Sequence, residues 1–204
     1  MTSRTATLAD VAIPAFGGAQ AIQWLRAAIL VVAGAGLTAL SAQLSWQAPW
    51  SEVPYTGQTA AVLLVGTALG SRLGVASMAL YVLAGAAGIG VFNAGSSGLF
   101  DATGKLSATV GYLIGFIVAA GLVGRLAEQR WDRSPVRAAG LMVLGNLVIY
   151  AIGVPVLALV LGLSAWDAIF HGALVFVPWD AFKVVVAAGL LPLAWRAVGS
   201  DRAR

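Results

Sequence analysis

Cysteine is absent, histidine occurs once, and charged residues make up only 10% of the 204 positions, against about 25% in an ordinary soluble domain. The first absence removes disulfides, thiol nucleophiles and zinc–thiolate sites. The scarcity of charge removes more. Eight acidic and twelve basic side chains cannot coat a water-soluble domain of this length, so neither a soluble globular protein nor a disordered chain fits. What is present instead is apolar: 60% of the residues are hydrophobic. Lipid is therefore the main solvent. At roughly 20 apolar residues per spanning helix, the length allows about six spans with short loops and leaves no room for a soluble catalytic domain. The expected fold is all-α, one polytopic membrane domain over residues 1–204.

The net charge of +4 does not point to nucleic acid, because the basic residues form no block with interleaved aromatics. Their placement reports topology instead. Hydropathy and polar breaks predict helices at about 22–43, 59–69, 75–92, 108–127, 138–162 and 173–195. The second and third are separated at Gly70-Ser71-Arg72-Leu73-Gly74, since one helix through that break would far exceed the bilayer. On this map Arg4, Arg26, Arg72, Arg125, Arg130, Arg133, Arg137, Arg196, Arg202 and Arg204 fall on one side and only Lys105 on the other, with Lys183 inside the sixth span. That asymmetry places both termini in the cytoplasm and loops 44–58, 93–107 and 164–171 outside. Trp46, Trp50 and Tyr55, in a polar stretch with Glu52 and Pro54, suit a headgroup-level belt. Residues 27–42 behind Arg26 resemble a signal peptide. The strongly apolar chain downstream favours an uncleaved first helix.

Asp180 and Lys183 stand three apart in the sixth span, on one helix face. An intramembrane charge is costly enough to mark function, and the bland alternatives are a mutual ion pair or side chains reaching for the outer surface. Asp167 and His171, four apart, read as a solvated interfacial pair, since a metal site needs a third ligand. Gly98 to Lys105 imitates a phosphate-binding loop with one residue too many between its glycines, and Gly88-Ile89-Gly90 begins a dinucleotide fingerprint that fails at its third glycine. Irregular backbone lining a cavity suits both better. Ala35 and Ala39, flanked by Gly34, Gly36, Thr38 and Ala42, allow close helix approach, either within the chain or to a partner.

The runs Val53-Pro54-Tyr55-Thr56-Gly57-Gln58-Thr59, Leu69-Gly70-Ser71-Arg72-Leu73-Gly74, Leu80-Tyr81, Gly85-Ala86-Ala87-Gly88-Ile89-Gly90-Val91-Phe92, Gly111-Tyr112-Leu113-Ile114-Gly115-Phe116 and Pro178-Trp179-Asp180-Ala181-Phe182-Lys183 together resemble the BioY family. These are the biotin-specific substrate-binding (S) components of energy-coupling factor (ECF) transporters. The resemblance covers about residues 25–195, in order. It departs where Gly90 replaces a common Pro, where Ser107-Ala108-Thr109 replaces Gly-Pro-Thr, and where Trp179 replaces Gly. It implies a high-affinity vitamin receptor in a prokaryotic cytoplasmic membrane, with an outward pocket made by helices four to six and loops one and three. The family's ligand-contacting residues carry over to Asp180, Lys183 and Asn93, and its helix-one docking alanines to Ala35 and Ala39. The implied partners are biotin, the lipid bilayer, a transmembrane scaffold subunit and ATPase subunits, with no cofactor and no nucleic acid. Whether the chain works alone, as a homo-oligomer or in a complex is left open.

Chemistry makes that ligand sensible. Biotin's ureido head offers two N–H donors beside one strong acceptor, and a carboxylate three residues from an ammonium matches it: Asp180 accepts an N–H and Lys183 donates to the carbonyl. The carboxylate of biotin then lies nearer the mouth, toward the backbone N–H groups of Gly95 to Gly98 with Asn93 or Lys105. Two rivals stand beside this reading. A stand-alone or proton-coupled carrier would use Asp180 as a relay. A membrane-embedded enzyme would need clustered acids or histidines, and Asp180 is the only acid within the predicted spans, so no enzymatic activity is expected.

Overall fold

The computed structural model describes residues 6–13, 20–51, 53–100 and 104–200. Arg4, Glu52, Arg202 and Arg204 lie outside the described residues. The chain forms seven α-helices there: α1 Leu8–Ala12, α2 Gln20–Gln43, α3 Gln58–Ala86, α4 Val110–Ala127, α5 Pro135–Leu161, α6 Ala165–Gly172 and α7 Val177–Ser200. A two-residue antiparallel ribbon, β1 Ser45–Trp46 with β2 Tyr55–Thr56, closes the first loop. Among the described residues, five stretches are long and apolar enough to cross a membrane: α2, α3, α4, α5 and the run Ala165–Val198. The outward faces agree with lipid as solvent, since Val32, Leu40, Val136, Leu159 and Val185 are all largely exposed.

α3 is not one rod. Gly70 has φ 80 and ψ 175, a conformation open in practice only to glycine, and the helix reverses there. A straight helix would separate Gln58 from Tyr81 by roughly 35 Å at 1.5 Å per residue. Instead the Gln58 amide donates to the Tyr81 hydroxyl, and a Cβ on Gly74 would lie 2.9 Å from the Cα of Gly66. The two halves, 58–69 and 71–86, therefore form a hairpin, broken at the glycine that opens the polar interruption in the sequence. Glu128, just beyond α4, holds the turn: its Oε1 accepts from the Ser71 N–H at 2.9 Å and from Ser71 Oγ at 2.7 Å. It thereby serves orphan donors at the start of the second half. Arg125 balances the carboxylate at 3.1 Å.

α4 is the central helix, packed on α3 and α5, with α2 outside α3 and α7 outside α5. Small residues set these close approaches. A Cβ at Gly124 would strike the Ser71 backbone at 2.5 Å, and one at Gly66 would strike Val123 and the Ala120 backbone at 2.7 Å. The last helix runs Val177–Ser200 where 173–195 was expected, and two other differences from the sequence reading have a clear cause. The helix expected to reach residue 92 ends at Ala86, because Gly88 takes a positive φ of 94 and the chain turns into the loop. The stretch 164–171, expected as a loop, is mostly α6, started by Ser164, whose side chain accepts from the Asp167 N–H. A single turn, Leu174–Phe176, then leads into α7.

Candidate functional site

A cavity of about 370 Å³ lies where β2, the start of α3, the loop after α3, α4, α5 and α7 converge. Its size falls within the roughly 300–1,000 Å³ of small-molecule sites. Asp180, Lys183 and Asn93 all line it. Asp180 is 7% exposed and sits in the first turn of α7, and Lys183 follows one turn later. The Lys183 ammonium donates to Asp180 Oδ1 at 3.1 Å and to Thr59 Oγ1 at 2.7 Å, and lies 5.6 Å from the centroid of the Trp179 ring.

Two further polar side chains belong to this network, and a third lines the same cavity beside it. Tyr150, from the middle of α5, donates its hydroxyl to Asp180 Oδ2. Thr59 receives Lys183. Gln58, buried, accepts from Thr56 Oγ1 at 3.0 Å while donating to Tyr81. Each is an uncharged residue in or beside an apolar run; Gln58 and Thr59 fall in a run that carries the family resemblance, but nothing local assigns any of the three a role. A signal exists only in combination, because a buried ion pair needs hydrogen-bonding neighbours to satisfy its remaining valences.

The arrangement leaves defined valences for a ligand. An ammonium has three N–H groups, and two of those on Lys183 are engaged. Each Asp180 oxygen has one donor and can accept a second. A guest that presents an acceptor beside a donor is therefore matched at this end of the cavity. Phe92, Leu113, Phe116 and Phe176 supply apolar wall.

The other end is hydroxyl-rich, with Asn93, Ser96, Ser97, Ser107 and Thr109. Here the structure modifies the sequence reading. The Gly95 N–H donates to Phe92, that of Ser96 to Asn93 and that of Gly98 to Gly85, so these three amides are engaged in holding the loop. Lys105 does not line the cavity. The side chains of Asn93, Ser96, Ser97, Ser107 and Thr109 are the groups that face a guest. The loop folds this way because Ala94, Gly95 and Gly98 take positive φ and because Phe92 packs its ring over Gly85, where a Cβ would meet it at 2.1 Å.

The first loop roofs the site. Tyr55 packs at a tilt against Phe176, with ring centroids 4.5 Å apart, and against Trp46 at 5.4 Å, and its hydroxyl donates to the Val175 carbonyl at 2.8 Å. His171 does not pair with Asp167. Its Nδ1 lies 2.7 Å from the Trp50 carbonyl, which accepts only from a protonated nitrogen, while Ser51 Oγ donates to the His171 carbonyl at 3.1 Å. Asp167 instead accepts from the Ser164 hydroxyl at 2.6 Å. The histidine thus clasps loop one to α6, and among the described residues no group of three or more acidic, histidine or cysteine side chains is placed to hold a metal.

Ala35 and Ala39, on α2, do not line this cavity. Ala35 is 8% exposed, within the core, and Ala39 is half-buried against it. Gly34 beside them packs on Ser77 and Val65. Gly36 has nothing within 4 Å of its Cβ position, and with Val32 and Leu40 it forms the outward face.

The family model described as the BioY family matches residues 6–200. A biotin transporter BioY of Thermotoga maritima is 39% identical over 155 residues, 74% of this chain and 86% of its own length. One of Rhizobium etli is 35% identical over 146 residues, 67% of this chain and 74% of its own. The solved S component for biotin from an ECF-type ABC transporter superposes with a TM-score of 0.75 at 17% identity, covering 88% of this chain and 95% of that one, which establishes a shared fold. With the family match running through every described helix, the chain belongs to the BioY family.

Proposed function

We propose that this protein binds biotin and takes it up across the cytoplasmic membrane of a prokaryote, as the S component of an ECF-type transporter. One observation carries the reading. Within a family whose curated members are named biotin transporters, a buried carboxylate and ammonium face a cavity of fitting size with free acceptor and donor positions that complement the two N–H groups and the carbonyl of a cyclic urea. The ureido head sits against Asp180 and Lys183, the bicycle against the aromatic wall, and the carboxylate tail against Asn93 and the hydroxyl rim. Nothing in that geometry requires a cofactor.

The chain is read as one membrane domain with six crossings, each half of α3 making one. Both termini are cytoplasmic on this reading. Support comes from the pole opposite the cavity, where Arg125 and Glu128 meet the α3 turn and Arg133 packs over Trp195, as the excess of arginine on the cytoplasmic side requires. ATP-driven uptake needs a scaffold subunit and ATPases on other chains. In that assembly α2 meets the scaffold. Of the two alanines expected to dock, Ala39 is the one with surface to offer, beside Gly36 and Leu40. Binding of labelled biotin to the purified protein in detergent, challenged with other vitamins, tests the proposal. Saturable binding displaced by biotin alone is expected, and displacement by an unrelated vitamin at equal concentration would refute it.

A further inference from the structure

Asn146, on α5, is 8% exposed, and its Oδ1 is buried without a hydrogen-bond partner. An unpaired amide in a membrane span is costly and marks a residue with something to receive. It lines a further cavity, of about 220 Å³, between α3, α5 and α7, walled by apolar side chains such as Leu63, Met142 and Val184, together with Lys183. Lys183 also lines the ligand cavity, so its stem stands in the wall between the two.

Helix register makes this more than coincidence. α5 and α7 run antiparallel, because Tyr150 meets Asp180 while Trp195, far along α7, meets Asp132, just before α5. One turn back along α5 from Tyr150 is Asn146, and one turn forward along α7 from Asp180 is Lys183. The two pairs face each other in successive layers. In the upper layer the hydrogen bond is made. In the lower one the amide oxygen stands open while the ammonium leans toward Asp180 and Thr59.

We propose that Asn146 Oδ1 is a second acceptor for the Lys183 ammonium, reached by a rotamer change of the flexible stem. Asn146 thereby sets how much of the time the ammonium faces the ligand. It is a positioning residue, and the inference rests on the reading of Lys183 as a ligand contact. The Asp180–Thr59 position is the stronger because it is charge-assisted. The Asn146 position satisfies an otherwise orphaned oxygen.

The two positions predict opposite effects from two substitutions at one site. Asn146→Leu keeps the branching and heavy-atom count of the side chain and removes the alternative acceptor, so it should tighten labelled biotin, by up to about twofold because the Asp180–Thr59 position is already the more populated. Asn146→Asp draws the ammonium away from the ligand and should loosen it about tenfold, a shift well outside the roughly twofold scatter of uncoupled sites. In the Lys183→Met background the tightening should vanish and the loosening should fall below about twofold. Shifts of the same sign, or shifts that persist in Lys183→Met, overturn the proposal. Should Asn146→Asp fail to fold, Asn146→Leu decides alone: a tightening lost in Lys183→Met supports the proposal, and no change or a loss of affinity overturns it. Melting temperatures of the ligand-free proteins give a test that needs no biotin. Asn146→Asp should be better tolerated with Lys183 present than in Lys183→Met, and equal changes in both backgrounds overturn the proposal. Absence of biotin binding by the unsubstituted protein would refute the functional reading, while the melting comparison still decides whether Asn146 and Lys183 are partners.

Discussion

Tyr150 on α5 donates its hydroxyl to Asp180 Oδ2 on α7, while Lys183 holds the other oxygen of the same carboxylate. The carboxylate is thus fixed by two helices at once, and its remaining acceptor positions point where the pair does. Tyr150→Phe removes one hydrogen bond to a charged group, worth about 1.5–3 kcal/mol, without opening a cavity. Biotin affinity should fall about tenfold or more when measured by calorimetry in detergent. An unchanged affinity with a lowered melting temperature would reduce Tyr150 to a structural strut.

Asp180→Asn and Lys183→Met should each weaken biotin by about 2–5 kcal/mol, much of it from leaving the other charge buried without its partner. The direct role is separated from the indirect one by a biotin ester, which keeps the ureido head and lacks the carboxylate. The ester should lose affinity in both variants. If Lys183→Met weakens biotin strongly and leaves the ester untouched, the lysine holds the carboxylate and the ligand lies the other way round.

A reporter fused after Arg204 should report cytoplasm, and one inserted near Gly98, in the loop that borders the cavity, should report the exterior. Both on one side would refute the six-crossing map, and with it the reading of α3 as two spans.

On α2 the two faces should answer differently to bulk. Gly36→Trp meets open space and should spare folding and biotin binding while abolishing energised uptake in cells that supply the partner subunits. Ala35→Trp overfills a buried position and should destabilise by about 1–3 kcal/mol or more, seen as a lower melting temperature before any effect on uptake. Uptake unaffected by Gly36→Trp would remove this face as a docking surface.

Asp132, between α4 and α5, is fully buried, and burial raises its carboxyl above the ordinary range, against the lowering influence of the Trp195 indole at 2.6 Å. A raised folded-state value means that the folded protein holds the proton more tightly than the unfolded chain. Stability should therefore fall as pH rises from about 4 through the folded value. Asp132→Asn keeps an acceptor for the indole and should flatten that part of the melting-temperature profile. An unchanged slope in Asp132→Asn would assign the pH dependence elsewhere.

The sequence by itself determined the solvent, the helical class and the break in the second apolar stretch. Each follows from quantities that are local or additive: total charge, run length against bilayer thickness, and a glycine at a polar interruption. It also marked Asp180 and Lys183, because a charge within an apolar run is conspicuous wherever the helix packs. Only the tertiary structure decided what those charges meet. Tyr150, Thr59 and Asn146 are ordinary residues of apolar helices until antiparallel packing brings α5 and the first half of α3 to α7, and a partner's distance across helices leaves no periodic trace in either strand of sequence. The same reason explains Ala35. Spacing shows that small residues share a face of α2, but which face turns inward depends on α3 folding back at Gly70 to cover it.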